Sequence, residues 1–415
     1  MVYRAALLCL CGVLVACGSQ DPSDGGEQSP GSTGEDGSTS TGNDASTSSG
    51  DGSATADSSS GGMSDPDGSS SSGEPPSAPA PTERWRTLAG PGHATALCLF
   101  DDDRIAVATS TATSIEAGTA TISVFDREGE QVWSAGFGEP GLTSYFHDLA
   151  CASDGSVIAV GLQAGEGKWN LPRALMARFD ASGELAWSDV APESPSSALG
   201  GVQVDDTGYY VVGMRLPDAF VARYDLDGVE QWRRVDGYGG HTGSFHDLLV
   251  QEGVLYAVGE TGNDGWLVAM SEDGQVLGSE TFDAGGMTSA DILVPDPAGG
   301  FVVAGYTEPS GFDDPDHAWA VPCDAAGCAS EPFDAGEVDA LHGFAIDANG
   351  DWIVSGPNGL RGRPAGEPEA WTFDTEFDWF YKGDRRKLLA VDGTGALVVA
   401  GGDPAELLQL LPSER

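Results

Sequence analysis

Val157-Ile158-Ala159-Val160-Gly161, then Ala174-Leu175-Met176-Ala177-Arg178-Phe179-Asp180-Ala181-Ser182-Gly183-Glu184-Leu185-Ala186-Trp187, decides the fold. The phrase is an apolar run, a glycine, a variable hairpin, an apolar-alternating strand, a D-x-x-G turn and a tryptophan. Alternation with period two marks strands, and Asp with Gly at fixed offsets marks a tight turn. The phrase returns at 209–213 (YYVVG) and 219–232 (AFVARYDLDGVEQW). Weaker copies begin at 254–259 (VLYAVG), 301–305 (FVVAG), 352–356 (WIVSG) and 397–401 (LVVAG). A seventh has Ala108 in the glycine slot (RIAVA), followed by TISVFDREGEQVW ending at Trp133. The anchors Ala108, Gly161, Gly213, Gly259, Gly305, Gly356 and Gly401 lie 53, 52, 46, 46, 51 and 45 residues apart. A β-rich unit of this length is a four-stranded blade, which buries both faces only by stacking on copies of itself. The expected fold is all-β, a seven-bladed β-propeller.

The two ends of the domain predict how the ring closes. After 397–401 only one more strand candidate remains, 406–411 (ELLQLL), whose composition also allows a helix. The segment 83–90 (ERWRTLAG) matches the outer strand of the third copy, 230–237 (EQWRRVDG). Pairing 83–88 into the last blade leaves no open edge at the seam, and open edges invite aggregation.

Residues 1–16 read as a signal peptide: Arg4, a short apolar run from Ala5 to Val13, and small residues before Cys17. That run is too short to cross a bilayer. Leu14-Val15-Ala16-Cys17 resembles the lipobox of bacterial lipoproteins. The resemblance implies lipidation of Cys17, cleavage before it and loss of Cys9 and Cys11 with the leader. Two or more acyl chains anchor stably, at roughly 0.8 kcal/mol per buried methylene. Gly18 and Ser19 lack the aspartate that retains lipoproteins at the inner membrane in enteric bacteria, which favours the outer membrane. Residues 17–82 complete the anchor: after Cys17 they are almost entirely Ser, Gly, Asp, Thr and Pro, with no lysine or arginine. Such a composition cannot offset ordering entropy and predicts a disordered tether. At about 5–6 Å times the square root of its length, it spans about 45 Å.

Charge restricts the partners. The formal net charge is −46, and residues 83–415 keep 54 acidic residues against 18 Lys and Arg. Phosphate backbones would be repelled, so nucleic acid is excluded as an expected partner. The expected partners are the membrane, through the lipid anchor, and a protein or glycan of unknown identity, with the domain itself a monomer.

Four cysteines remain in the folded domain. Cys323 and Cys328 bracket the turn Asp324-Ala325-Ala326-Gly327 and face each other across a hairpin, so in an exported domain a disulfide is expected. Cys98 and Cys151 each lie ten residues before their anchor, in the column that holds Ile346 and Val391. Equivalent positions around a ring point the same way, not at each other, and the expectation is two buried free thiols.

One recurring phrase carries chemistry. Phe146-His147-Asp148-Leu149 and Phe245-His246-Asp247-Leu248 stand at the start of the inner strands of blades two and four. Blade six offers His342 in Leu341-His342-Gly343-Phe344, and blade five offers Asp291 in Ala290-Asp291-Ile292. Imidazole with carboxylate can ligate a divalent metal or relay a proton. His147, His246, His342 and Asp291 are therefore the candidate metal or ligand set, and blades two, four and six could share a ligand only on the axis. The competing role is structural, as for the Gly-His dipeptide of WD40 blades, with hydrogen bonds inside the blade. The loops at Asp225 and Asp347 look faintly like calcium loops, but the glutamate at position twelve is missing and turn chemistry explains them. No G-x-S-x-G, P-loop or H-E-x-x-H occurs, so no catalytic set or cofactor is assigned from motifs.

The spacing, together with Gly239-Gly240, Asp247 and 253–259 (GVLYAVG), resembles the SBBP-type bacterial β-propeller repeats over about residues 83–415. The resemblance implies an all-β ring on an exported lipoprotein and carries no catalytic residues. Blade six departs most, since 371–381 (WTFDTEFDWFY) has no D-x-x-G turn. The functional expectation is a binding or scaffold module at the outer membrane. The alternative is a metal-dependent hydrolase or lyase at the mouth of the channel.

Overall fold

The computed structural model describes residues 80–412, less short loop segments at 113–117, 166–170, 192–195, 237–241, 284, 309–316, 330–332, 338–340, 357–358, 364–370 and 378–386. The leader, Cys17 and almost all of the tether lie outside the described residues. The strands form seven antiparallel sheets, six of four strands and one of five. Blades one to six follow chain order over 93–137, 142–190, 197–236, 243–282, 287–337 and 343–373. The fifth strand belongs to blade five, where Gly327–Cys328 continues the hairpin and Phe333–Glu337 pairs with His317–Asp324. The fold is a seven-bladed β-propeller.

Blade seven is composite. It contains Leu389–Val391, Leu397–Gly401 and Ala405–Leu411, and its outer strand is the N-terminal Thr82–Gly90. Thr82 pairs with Leu411 and Gly90 with Ala405, so the segment read as strand or helix is a strand. The side chains fit this register: Arg86 donates to Glu406 at 2.9 Å and Arg84 to Gln409 at 3.0 Å. Trp85 Nε1 donates to the Arg127 carbonyl in blade one at 3.0 Å, tying the seam on both sides.

The core is distributed between blades. Seven of the apolar clusters each join one adjacent pair, including Leu388, Val398 and Leu407 of blade seven against Leu97, Ile105 and Val107 of blade one. Period-two alternation sends odd and even positions of each strand to opposite neighbours. The repeated glycine has a steric cause: a Cβ on Gly161 or Gly259 would lie 2.0 or 1.9 Å from the carbonyl oxygen of Tyr145 or Ser244. An outer girdle uses the other repeated residues. Trp85, Trp133, Trp187 and Trp232 lie against Gly129, Gly183, Gly228 and Gly274 in the turn of the next blade. In those turns the aspartate carboxylate caps backbone amides, as Asp225 does for Asp227 and Val229 and Asp347 for Asn349 and Asp351.

Both cysteine pairs are disulfides. Cys323 and Cys328 are direct cross-strand partners. Cys98 and Cys151 are also bonded, which corrects the expectation of free thiols. The inner strand of blade one bulges opposite Thr109, not Ala108: Ala94 pairs with Thr109 and Ala96 with Ala108. The bulge of blade two falls opposite Gly161, so Thr109 holds the anchor place. Cys98 and Cys151 are therefore one residue out of equivalence. Cys98 faces blade two, Cys151 faces blade one, and their Cα atoms are 5.8 Å apart.

Candidate functional site at the inner-strand bulges

The strand register of blades one to five skips one residue of each inner strand at a bulge: Thr95, His147, Gly200, His246 and Asp291. A bulge of this kind bends a strand and re-aims the side chain it carries. His342 takes the same place in blade six, where its amide and the Gly343 pairing both meet Ser355. In blade seven the residue fourteen before the anchor, as His147 is before Gly161, is Lys387. The structure thus sets His147, His246, Asp291 and His342 in one ring of equivalent positions. It brings His246 and Asp291 into direct contact.

His147 Nδ1 donates to the Leu199 carbonyl of blade three at 2.7 Å. The next residue works in parallel: Asp148 accepts from Leu149 N at 2.9 Å and from Val202 N of blade three at 2.9 Å. Blade four repeats the device, with Asp247 accepting from Leu248 N at 2.6 Å and from Leu293 N of blade five at 2.7 Å. The His-Asp phrase is a latch between blades, where the sequence suggested bonds within one blade. His342 is buried, and its carbonyl accepts from Leu388 N of blade seven at 3.0 Å.

His246 has a different set of partners. Its Nδ1 lies 2.9 Å from Asp291 Oδ1 and its Nε2 lies 2.7 Å from Ser244 Oγ. Ser289 Oγ donates to the same Asp291 oxygen at 2.9 Å and stands 3.3 Å from His246 Nδ1.

Lys387 is the functional residue that sequence reasoning passed over. Its Nζ lies 3.2 Å from Asp148 and forms a second ion pair with Asp247. Blades two and four are neighbours neither of blade seven nor of each other, so this side chain spans the channel. Both aspartates are almost fully buried, at 1% and 0% exposure. Burial pushes the Asp148 carboxyl up to about 6, against the opposing pull of Lys387. The two carboxylates raise the Lys387 ammonium above its ordinary value despite the cost of burying it. The axial place that a shared ligand would need is occupied by a protein side chain. Among the described residues no three His, Cys, Asp or Glu converge as a metal-binding group.

Residues 118–308 match the family described as PQQ_2, outer membrane protein assembly factor BamB. No curated protein sequence matches the chain. A streptogramin B lyase structure aligns with a TM-score of 0.54 at 12% identity, covering 79% of this chain and 97% of that one. A chain of the mitotic checkpoint complex aligns with a TM-score of 0.54 at 13% identity, covering 80% and 95%. A quinohemoprotein alcohol dehydrogenase from Pseudomonas putida HK5 gives 0.46 at 12% identity, covering 80% and 78%. The likeness is one of fold. The first two alignments support the ring architecture, and at these identities no activity passes from them to this chain.

Proposed function

We propose that this protein is an exported lipoprotein whose propeller acts as a rigid binding or scaffold module at the bacterial outer membrane. The observation that carries the reading is the use made of the recurring polar phrase. His147, Asp148, Asp247 and Lys387 join blades to one another, so the repeated side chains stiffen the ring. A stiff ring presents a broad face without loss of ordering entropy on binding, which favours affinity through preorganisation. Lipidation at Cys17 and the tether of 17–82 would hold that face about 45 Å from the membrane. The match of 118–308 to the BamB-type family, whose name places it in outer-membrane assembly, supports an envelope location. A net charge of −46 favours a protein or glycan partner over nucleic acid.

The test joins location to binding. Wild-type protein should incorporate labelled palmitate and fractionate with outer membranes, and Cys17→Ser should lose both. In-cell formaldehyde cross-linking of the wild type should give a discrete adduct that Cys17→Ser lacks. Unlipidated wild-type protein in the soluble periplasm would overturn the anchor, and the absence of any adduct would overturn the binding role.

A further inference from the structure

We propose that Ser244, His246 and Asp291 form a serine acyl-transfer centre for neutral or cationic carboxylic esters. This goes beyond the binding role, and its test requires neither a membrane nor a partner.

The geometry comes first. Ser244 Oγ lies 2.7 Å from His246 Nε2, and His246 Nδ1 lies 2.9 Å from Asp291 Oδ1. An ionised carboxylate only accepts, so Nδ1 carries the ring proton and donates to Asp291. Nε2 is then the acceptor, and Ser244 O–H donates to it. Nucleophile, base and orienting carboxylate stand in the order that defines a Ser-His-Asp triad, which is recognised by geometry and roles, not by sequence position. Ser289 donates to the same Asp291 oxygen at 2.9 Å and so fixes the carboxylate that fixes the ring. Glu260 Oε1 is a weaker alternative acceptor for Ser244, at 3.4 Å against 2.7 Å.

The repeat supplies an internal control. In blade two the same bulge holds His147, and its Nδ1 also points at the next blade. There the place of Ser244 is taken by Tyr145 and the place of Asp291 by Gly200, and the imidazole bonds the Leu199 carbonyl instead. The latch therefore needs neither a hydroxyl at the place of Ser244 nor a carboxylate at the place of Asp291. Blades four and five depart from it at both flanking positions, with the hydroxyl and the carboxylate that turn a latch into a base with a nucleophile. The bulge at His246 brings Ser244 and His246, two residues apart on one strand, within hydrogen-bonding distance.

The chemistry balances within these groups and one water. Ser244 Oγ attacks the acyl carbon as His246 Nε2 takes its proton, and the imidazolium is held by Asp291. The carbon–alkoxy bond breaks and the departing alcohol takes that proton. Water then attacks the acyl-serine, giving its proton to Nε2, and the acid leaves as Ser244 Oγ regains it. Glu260 beside the nucleophile and the acidic chain disfavour anionic esters. His246 keeps 13% of its side chain exposed and Ser244 is 5% exposed, which calls for small substrates.

Diisopropyl fluorophosphate is the probe. Intact-mass analysis of the purified chain should show one phosphoryl adduct, mapped to Ser244 and absent in Ser244→Ala. His246→Gln should abolish labelling, and Asp291→Asn should slow it by roughly a hundredfold or more while the melting temperature shows a folded ring. Should Asp291→Asn unfold, Ser289→Ala, which keeps the carboxylate, should slow labelling instead. No adduct on the folded wild type, an adduct elsewhere, or equal rates in wild type and His246→Gln would overturn the proposal.

Discussion

Lys387 stands fourteen residues before Gly401, the interval that separates His147 from Gly161 and Asp291 from Gly305. That arithmetic was available in the sequence, but its meaning was not. The repeat shows which residues share a ring position, whereas the pairing of Lys387 with Asp148 and Asp247 depends on three blades that are not neighbours. His246 and Asp291 were legible as candidates because they occupy the repeated phrase. Ser244, outside the phrase, became visible only with the bulge geometry. Lys387→Met leaves two buried carboxylates without their cation and should destabilise the ring by about 3 kcal/mol near neutral pH, the lower end for a broken buried pair. Lys387 keeps 29% of its side chain exposed, which favours that lower end. The pH dependence has a definite sign. Asp148 has a folded value raised to about 6 from 3.8, so its contribution is most favourable below about pH 4 and falls as the pH rises through 6. Lys387 opposes that rise in the wild type. Urea melts should therefore show the gap between wild type and Lys387→Met widening from pH 4 to pH 7. A constant gap would show that Lys387 does not oppose the rise of the Asp148 carboxyl.

At the scale of the element, strand identity followed from alternation and turn chemistry, and the registers confirm it through every blade. What failed was a displacement of one residue. Placing Ala108 in the glycine slot made Cys98 and Cys151 equivalent, but the bulge opposite Thr109 makes them face each other. In a strand, one residue of shift exchanges the two faces. The girdle turns were legible as turns, but the tryptophan that fills each one comes from another blade and could not be paired with it from the sequence. That docking predicts a contrast between two glycines of like conformation. Gly183 (φ +85°) would bring a Cβ to 2.7 Å from the Trp133 ring, whereas Gly395 (φ +83°) has nothing within 4 Å. Gly395→Ala should cost only the left-handed backbone, about 1–2 kcal/mol. Gly183→Ala must also displace the ring and should cost about 2 kcal/mol more. Denaturation midpoints of the two variants check this, and equal losses would remove the girdle as a source of stability.

For the whole molecule, closure determines whether seven sheets behave as one body. Each blade stacks on two others, so an incomplete blade seven weakens its contacts with both blade six and blade one. The closing strand was legible because 83–90 copies the outer strand of the third blade, tryptophan included. Its removal would bare the backbone edge of Ala405–Leu411, beside the fully buried Leu407, Leu408 and Leu410. It would also delete the Trp85 bond to Arg127 and the Arg86 pair with Glu406. A chain lacking residues 82–90 should melt at lower temperature and associate through that edge. The same geometry predicts rescue in trans, because an added strand supplies main-chain hydrogen bonds along an open edge and side chains for alternate pockets. The nine-residue peptide TERWRTLAG should bind the truncated ring and raise its melting temperature in proportion to the logarithm of peptide concentration above Kd. The peptide with Trp85 replaced by Ala should bind more weakly, since it loses both the girdle contact at Gly129 and the bond to blade one. Equal rescue by a scrambled peptide would show that the edge accepts any strand and that the residues of 82–90 do not determine closure.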